Sequence, residues 1–287
     1  MCQNQIYYFV IINFFLIYNK LYINMVELKI YFTSIKGRRD SNEDRHNIIL
    51  NINGEKSNIN EINFFGIYDG HGGTYVSKYL ETNISNYYLD KKFTEPFDKN
   101  YHNQVFQIIQ NQLLKSTFGY STGSTCLLNL MYKFKNEIHM NIVNLGDSRL
   151  TIVYTNGVSE PITKDHKPDE LEEKLRLEKM GGEVYKDSEG VYRIGDLSLS
   201  RAFGDGDNAP YISQKPDIYY KKIIPETKYI VMACDGLWDV CESESIGNVI
   251  GELNKSNPEN IAIELANWAL KKGSTDNVSI IVIEVIH

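Results

Sequence analysis

Three apolar runs in this sequence stop at an aspartate. NFFGIYDGHGG puts Asp69 after the run 64–68, YIVMACDGLWD puts Asp235 after 229–234, and IHMNIVNLGDSR puts Asp147 after 138–145. A fourth aspartate, Asp276, stands just before the run 278–286, and the acidic pair Glu43-Asp44 in GRRDSNEDRH stands just before another. If the last run is a strand antiparallel to the first three, their carboxylates all reach one edge of a sheet layer. Carboxylates gathered there repel one another unless cations neutralise them. Oxygen donors without His or Cys select Mg²⁺ or Mn²⁺ over zinc or copper. Glycine follows both Asp69 and Asp235, so the chain can turn tightly there and a bare carbonyl can reach a metal. A single Asp-Gly after a strand is ordinarily just a turn. Two such copies, together with Glu-Asp and Asp-Asn, set this pattern apart.

The elements that must carry these residues are legible as short apolar runs. Runs of strand length occur at 28–33, 46–52, 62–68, 124–132, 138–145, 150–154, 229–234 and 278–286, each bounded by Gly, Asn, Asp or charged residues. Helical spacing lies between them. Val76, Tyr79, Leu80, Ile84, Tyr87 and Tyr88 form one stripe, and Val105, Ile108, Ile109 and Leu113 form another within 101–117. A third helix is predicted over 168–180, opened by Pro168 and stopped by Gly181-Gly182. A fourth carries Ile246, Val249, Ile250 and Leu253. A fifth is predicted to open at Asn257-Pro258 and to carry Ile261, Leu265, Trp268 and Ala269 before Gly273. Residues 183–226 read as a loop-rich flap. Strands outnumber helices, and the helices cluster early and late, which suits an α+β layered sandwich rather than regular βαβ alternation.

Composition narrows the function classes. The chain has 287 residues, 42% hydrophobic and 23% charged, which is ordinary globular usage. Its 37 acidic and 30 basic side chains give a net charge of −7, against a phosphate-tracking nucleic-acid binder. Four scattered cysteines form no disulfide framework, C-x-x-C or H-x-H. A reducing, intracellular location, cytoplasmic or nuclear, fits them. The sequon at Asn277 adjoins Asp276, where a glycan would disrupt any metal site. The apolar run 6–18 is shorter than the ~20 residues that span a bilayer, and it lacks the flanks of a signal peptide. Residues 1–24 are read as an apolar leader, and translation from Met25 is favoured over membrane anchoring or packing on the domain. Residues 25–287 are read as one catalytic domain.

GRRDSNEDRH, FFGIYDGHGG, STGST, VNLGDSR, KDHKP, LSLSRAFGD, VMACDGLWD and STDNVS occur in the order and rough spacing of the metal-dependent type-2C protein serine/threonine phosphatases, and the chain resembles that family over about residues 30–286. The resemblance implies a four-layer αββα sandwich of two antiparallel sheets, each covered by a helix pair. It implies Mn²⁺ or Mg²⁺, two catalytic ions and a weaker third, in a cleft at one edge. Asp69 matches the carboxylate that bridges the two ions. Glu43 and the Gly70 carbonyl match ligands of one ion, and Asp235 and Asp276 ligands of the other. Asp44 matches an acid that holds metal-bound water, Arg39 the phosphate-binding arginine, and His71 the proposed general acid. Asp147 and Asp239 match positions linked to the third ion. Thr122 departs from the serine usual before Gly-Ser-Thr, and the 90–120 segment is short.

The chemistry implied is hydrolysis of phosphoserine and phosphothreonine in proteins. Two cations share a water and lower its pKa, and the resulting hydroxide attacks phosphorus in line. Arg39 offers a fixed fork of donors to the phosphate oxygens, and His71 protonates the leaving alkoxide. A histidine beside a glycine pair is ordinarily unremarkable; its place two residues after Asp69 raises the catalytic reading. Arg38 and Arg39 also read as a solvated basic pair, and only the motif register singles out Arg39. A cysteine-based phosphatase is excluded, because no cysteine begins a C-x₅-R. Asp-Gly-Asp at 205–207 echoes the D-x-D of aspartyl-phosphate enzymes, but no suitable strand precedes it. The alternative is a pseudophosphatase binding module with the same fold, against which every ligand position is filled. The expected partners are phosphorylated proteins, met by a monomer, with neither nucleic acid nor a membrane.

Overall fold

The computed structural model describes residues 19–23, 26–52, 62–88, 98–134 and 137–286. The run 6–18 lies outside them. Two antiparallel sheets stack face to face. One, of six strands, runs in the order Asn19–Ile23, Val26–Ile35, Val278–Ile286, Thr227–Ala233, Arg149–Tyr154, Ser159–Pro161. The other, of five, runs Asp217–Lys222, Glu137–Leu145, Cys126–Phe134, Ile62–Tyr68, Arg45–Ile49. Helices Tyr75–Tyr88 and Lys99–Leu113 cover the five-stranded sheet. Helices Ile246–Leu253 and Ile261–Lys272 cover the six-stranded one. This is the predicted αββα sandwich.

Side-chain alternation explains why the central strands read as unbroken apolar runs. Successive residues of a strand face opposite sides, and here each sheet has a second layer on both faces. In Ile62–Tyr68, Phe65 and Ile67 enter the core between the sheets while Phe64 and Tyr68 pack under the first helix pair. In Val278–Ile286, Ile281, Ile283 and Val285 face the inter-sheet core, and Val278, Ile280 and Val282 face the second helix pair. Fully burying each such side chain contributes about 1.5–3 kcal/mol, and the interleaving fixes register, since a one-residue slip would swap the two faces.

Element boundaries differ from expectation where capping decides them. The last helix starts at Ile261, not at Asn257-Pro258. Asn257 adopts a left-handed conformation (φ 49°), whereas Asn260 is extended and its side chain accepts from the N–H groups of Ala262 and Ile263. The third predicted helix begins at Leu171, leaving Pro168 in the preceding turn. The second spans Lys99–Leu113, capped by Asp98, whose carboxylate accepts from Tyr101 N–H at 2.7 Å. The segment 183–226 is more ordered than a flap. It contains the hairpin Val184–Lys186/Tyr192–Ile194 and the edge strand Asp217–Lys222. Among the described residues no helix is long and apolar enough to cross a membrane.

One polar network ties this segment to the sheet edge that bears Asp147. Glu173, on the helix Leu171–Lys179, is buried. Its carboxylate accepts from Ser200 Oγ (2.7 Å), Arg176 Nη2 (2.9 Å) and Arg201 Nε (2.9 Å). Arg201 Nη1 also donates to Asp217 (3.0 Å), whose other oxygen meets His166 Nε2 (3.2 Å). His166 Nδ1 accepts from the N–H of Gly146, the residue before Asp147. Burial alone would raise the Glu173 carboxyl, but the hydrogen bonds and charge of Arg201, Ser200 and Arg176 outweigh it and pull it down to about 2 from 4.5. A depressed carboxyl contributes stability that is present above its unfolded value and lost as pH falls through the folded one. Glu173→Gln should therefore destabilise the protein by about 3 kcal/mol near neutral pH. In thermal melts from pH 7 to pH 3, its gap from the unaltered protein should start to close below about pH 4.5; a gap of constant size would show that the carboxylate charge contributes nothing.

Candidate active site

The strand ends deliver the predicted acids to one place. Asp69 directly follows Ile62–Tyr68, Asp235 follows Thr227–Ala233 by one residue, and Asp276 lies just before Val278–Ile286. Glu137–Leu145 and Ile62–Tyr68 are both antiparallel to the strand between them, so Gly146-Asp147 emerges at the same end as Asp69. Glu43, Asp69, Asp147, Asp235 and Asp276 line one cleft together with Arg39, Gly70 and His71. Asp44 is buried behind it. Asp239 lies one helical turn past Asp235, where its N–H donates to the Asp235 carbonyl at 2.8 Å, and it does not line the cleft.

Glu43 is held on all sides. Its N–H donates to Asn277 Oδ1 (2.8 Å), its carbonyl accepts from Ser77 Oγ (2.6 Å), and its carboxylate accepts from Gly73 N–H (2.9 Å). Asn277 Nδ2 also donates to the carbonyls of Lys36 (2.7 Å) and Ser41 (2.8 Å), so this one side chain fastens the 36–43 loop to the start of the last strand. Gly70 sits where a Cβ would come within 2.7 Å of Ser77 Oγ and closer still to the Glu43 carbonyl. A side chain there would push the Glu43 loop away from Asp69.

The electrostatics are those of crowded acids. Asp69, Asp147 and Asp235 bring carboxylate oxygens within 4.8 Å of one another. Burial, then the charges of Asp235, Asp44, Asp147 and Asp276, push the Asp69 carboxyl well above the usual range. Burial and Asp147 do the same to Asp235, and burial raises Asp239. Asp44 is pushed up to about 6, chiefly by burial, and neither of its oxygens has a hydrogen-bond partner among the described residues. Two cations answer part of this charge. Lys167 Nζ lies 2.5 Å from Asp147 and 3.9 Å from Asp235; burial would lower its pKa, but Asp147, Asp235 and Asp239 drive it up. Arg39 Nη2 lies 2.7 Å from Asp276.

This donor set fits hard divalent cations. It consists of carboxylates and the Gly70 carbonyl, the acids outnumber the cations near them, and Asp44 presents two buried oxygens awaiting a donor. Cys234 Sγ also lies within 4.8 Å of Asp44 and Asp69 oxygens, but burial drives its thiol well up. Its sulfur is already engaged, donating to the Asn277 carbonyl (3.4 Å) and accepting from Ser279 N–H (3.1 Å).

Two residues here received no role from sequence. Lys167 belongs to KDHKP, and Asp205 ends LSLSRAFGD. His71 Nε2 lies 2.8 Å from Asp205 Oδ2. Burial would lower the imidazole's pKa; the Asp205 hydrogen bond and charge, with Asp147 and Glu43, raise it overall. Arg193 and Asp196, from the 184–194 hairpin and the turn after it, complete one wall of the cleft.

Comparison with known proteins agrees with this geometry. The model of the protein phosphatase 2C family matches residues 28–278. Probable protein phosphatase 2C 7 of Oryza sativa subsp. japonica is 30% identical over 260 residues, covering 89% of this chain and 65% of that protein. Probable protein phosphatase 2C 69 of Arabidopsis thaliana is 32% identical over 261 residues, covering 89% of this chain and 70% of its own length. The chain thus spans about two thirds of these plant relatives. Among solved structures, serine-threonine phosphatase 2C from Toxoplasma gondii superimposes with a TM-score of 0.76 at 23% identity, over 90% of this chain and 95% of that one. A match that runs from the first inter-sheet strand to the onset of the last makes this chain a member of the protein phosphatase 2C family.

Proposed function

We propose that this protein hydrolyses phosphoserine and phosphothreonine in proteins with the help of bound Mn²⁺ or Mg²⁺. The observation that carries the reading is the meeting of Asp69, Asp147 and Asp235 beside the partnerless Asp44 carboxylate, at the floor of a cleft edged by Arg39 and His71. Asp69 and Asp235, with Glu43, the Gly70 carbonyl and Asp276, are the residues that would hold two catalytic ions, and Asp147 and Asp239 would serve a weaker third. When bound, such ions lower the pKa of water and offset charge on a phosphoryl group.

The chain's own residues do the rest. Asp44, buried behind the cleft, would hold a water there by accepting a hydrogen bond from it. Arg39, 58% exposed at its side chain and tethered to Asp276 through Nη2, is free to turn its remaining donors to a phosphate. His71 gives a proton to the leaving alkoxide. The 36–43 loop, fastened by Asn277, keeps Glu43 and Arg39 in register with the strand ends.

Activity on a phosphoserine peptide should vanish in EDTA and return with Mn²⁺ or Mg²⁺. Asp69→Asn should cost the most of any single change in the acid cluster, roughly 10³-fold in kcat. Full turnover after exhaustive chelation would sink the metal-dependent reading, and metal binding without turnover would favour the pseudophosphatase. His71→Gln should lower kcat on the same peptide by roughly 10²–10⁴. Its effect should be much smaller on p-nitrophenyl phosphate, whose leaving group needs little protonation; equal losses on both would make His71 structural.

A further inference from the structure

One buried acid beside the cleft has no part in the roles assigned above. Asp205 closes a small three-stranded sheet in which Phe203–Gly204 pairs with Gly123–Ser124, and Gly123–Ser124 with Gly70–His71. His71 lies opposite Gly123, which lies opposite Gly204, and Asp205 is the next residue. The middle position has no side chain, and a Cβ on Gly123 would overlap both the Asp205 carboxylate and His71 Nε2. Across that gap the two outer side chains meet, with Nε2 2.9 and 2.8 Å from the two Asp205 oxygens.

The acid is fixed from every side. Its side chain is 4% exposed against 25% for His71. Its backbone is left-handed (φ 51°), a conformation aspartate tolerates better than most residues. Its N–H donates to the Thr122 carbonyl (3.0 Å) and its carbonyl accepts from Asn208 N–H (2.9 Å). Gln110, on the helix Lys99–Leu113, grips the preceding residue: its Oε1 accepts from Gly204 N–H and its Nε2 donates to the Gly204 carbonyl, both at 2.8 Å. Asp205 does not line the cleft, whereas His71 does. A carboxylate so buried needs a partner, and this one is aimed at a single ring nitrogen of a cleft histidine.

We infer that Asp205 is the positioning residue of the general acid: it holds the His71 ring by Nε2, keeps a proton on that nitrogen, and leaves Nδ1 as the atom that protonates the leaving oxygen. The inference rests on the reading of His71 as that acid. In the step, the bond from phosphorus to the serine or threonine oxygen breaks and its electron pair stays on that oxygen, which takes the Nδ1 proton. The attacking water bonds to phosphorus through its oxygen and releases one proton to solvent, and the ring takes up one proton from solvent in its turn. A carboxylate on one ring nitrogen sets the tautomer and orientation of the other.

The test is a double-mutant cycle between Asp205→Asn and His71→Gln on the full chain with Mn²⁺, with a phosphoserine peptide and p-nitrophenyl phosphate as substrates. Asp205→Asn should lower kcat on the peptide roughly 10- to 100-fold, with KM little changed, and lower it far less on p-nitrophenyl phosphate. In the His71→Gln background it should cost nothing more on the peptide. Melting curves verify folding. If Asp205→Asn does not fold, Gly123→Ala, which drives a methyl between the pair, takes its place with the same expected split. Equal losses on both substrates, or losses that multiply in the double mutant, overturn the assignment while leaving His71 as the acid. A protein that turns over neither substrate, or a His71→Gln variant with no leaving-group preference, overturns the reading beneath it.

Discussion

Mutual repulsion among carboxylates governs this fold's working edge. Asp69, Asp147 and Asp235 stand closer than free anions would, and the energy that keeps them there comes from elsewhere. The inter-sheet core around Phe65, Ile67, Leu127, Ile230 and Ile281 fixes the strands whose ends bear the acids. Lys167 and Arg39 relieve part of the charge. The remainder is uncompensated negative charge of the kind divalent cations would neutralise, held in place by the stability of the sandwich.

The helix layer over the five-stranded sheet serves that rim as well as the core. The helix Tyr75–Tyr88 brings Ser77 to the Glu43 carbonyl, and its N-terminal approach supplies the Gly73 N–H to the Glu43 carboxylate. The helix Lys99–Leu113 sends Gln110 to Gly204. On the other sheet, the turn Asp235–Trp238 packs Trp238 with its indole N–H donating to the Ala233 carbonyl (3.0 Å), which braces the backbone just before Asp235.

How much of this was legible in the sequence follows from which forces wrote it. Ile62–Tyr68 and Val278–Ile286 were readable to the residue, because burial on both faces demands an unbroken apolar run and the polar residues at their ends break it sharply. The acids were readable for the same reason, since they sit where the runs stop. Asp217–Lys222 was not: it is an edge strand, half-buried at most positions, with the sequence DIYYKK and no apolar run to mark it. The start at Asn257-Pro258 failed because two asparagines compete for one cap, and the backbone of Asn257 is turned the wrong way. The partnership of His71 with Asp205, 134 positions apart, depends on two successive two-residue ladders through Gly123–Ser124, too short to carry a period, although both residues lay inside recognisable motifs.

The bond between Glu43 N–H and Asn277 joins residues 234 positions apart, and Val26–Ile35 lies beside Val278–Ile286 in one sheet. Topology of this kind makes folding slow, because closure must precede the contacts that reward it. It also imposes an order on biosynthesis. A chain emerging from the ribosome holds Glu43, Asp44 and Asp69 early, yet Asp276 and the Asn277 clasp follow only after every described strand but Val278–Ile286. Until they do, the rim is unfinished and its first loop has nothing to fasten to. A chain cut before Asp276 lacks a central strand of one sheet, the clasp on the 36–43 loop and one acid of the cleft.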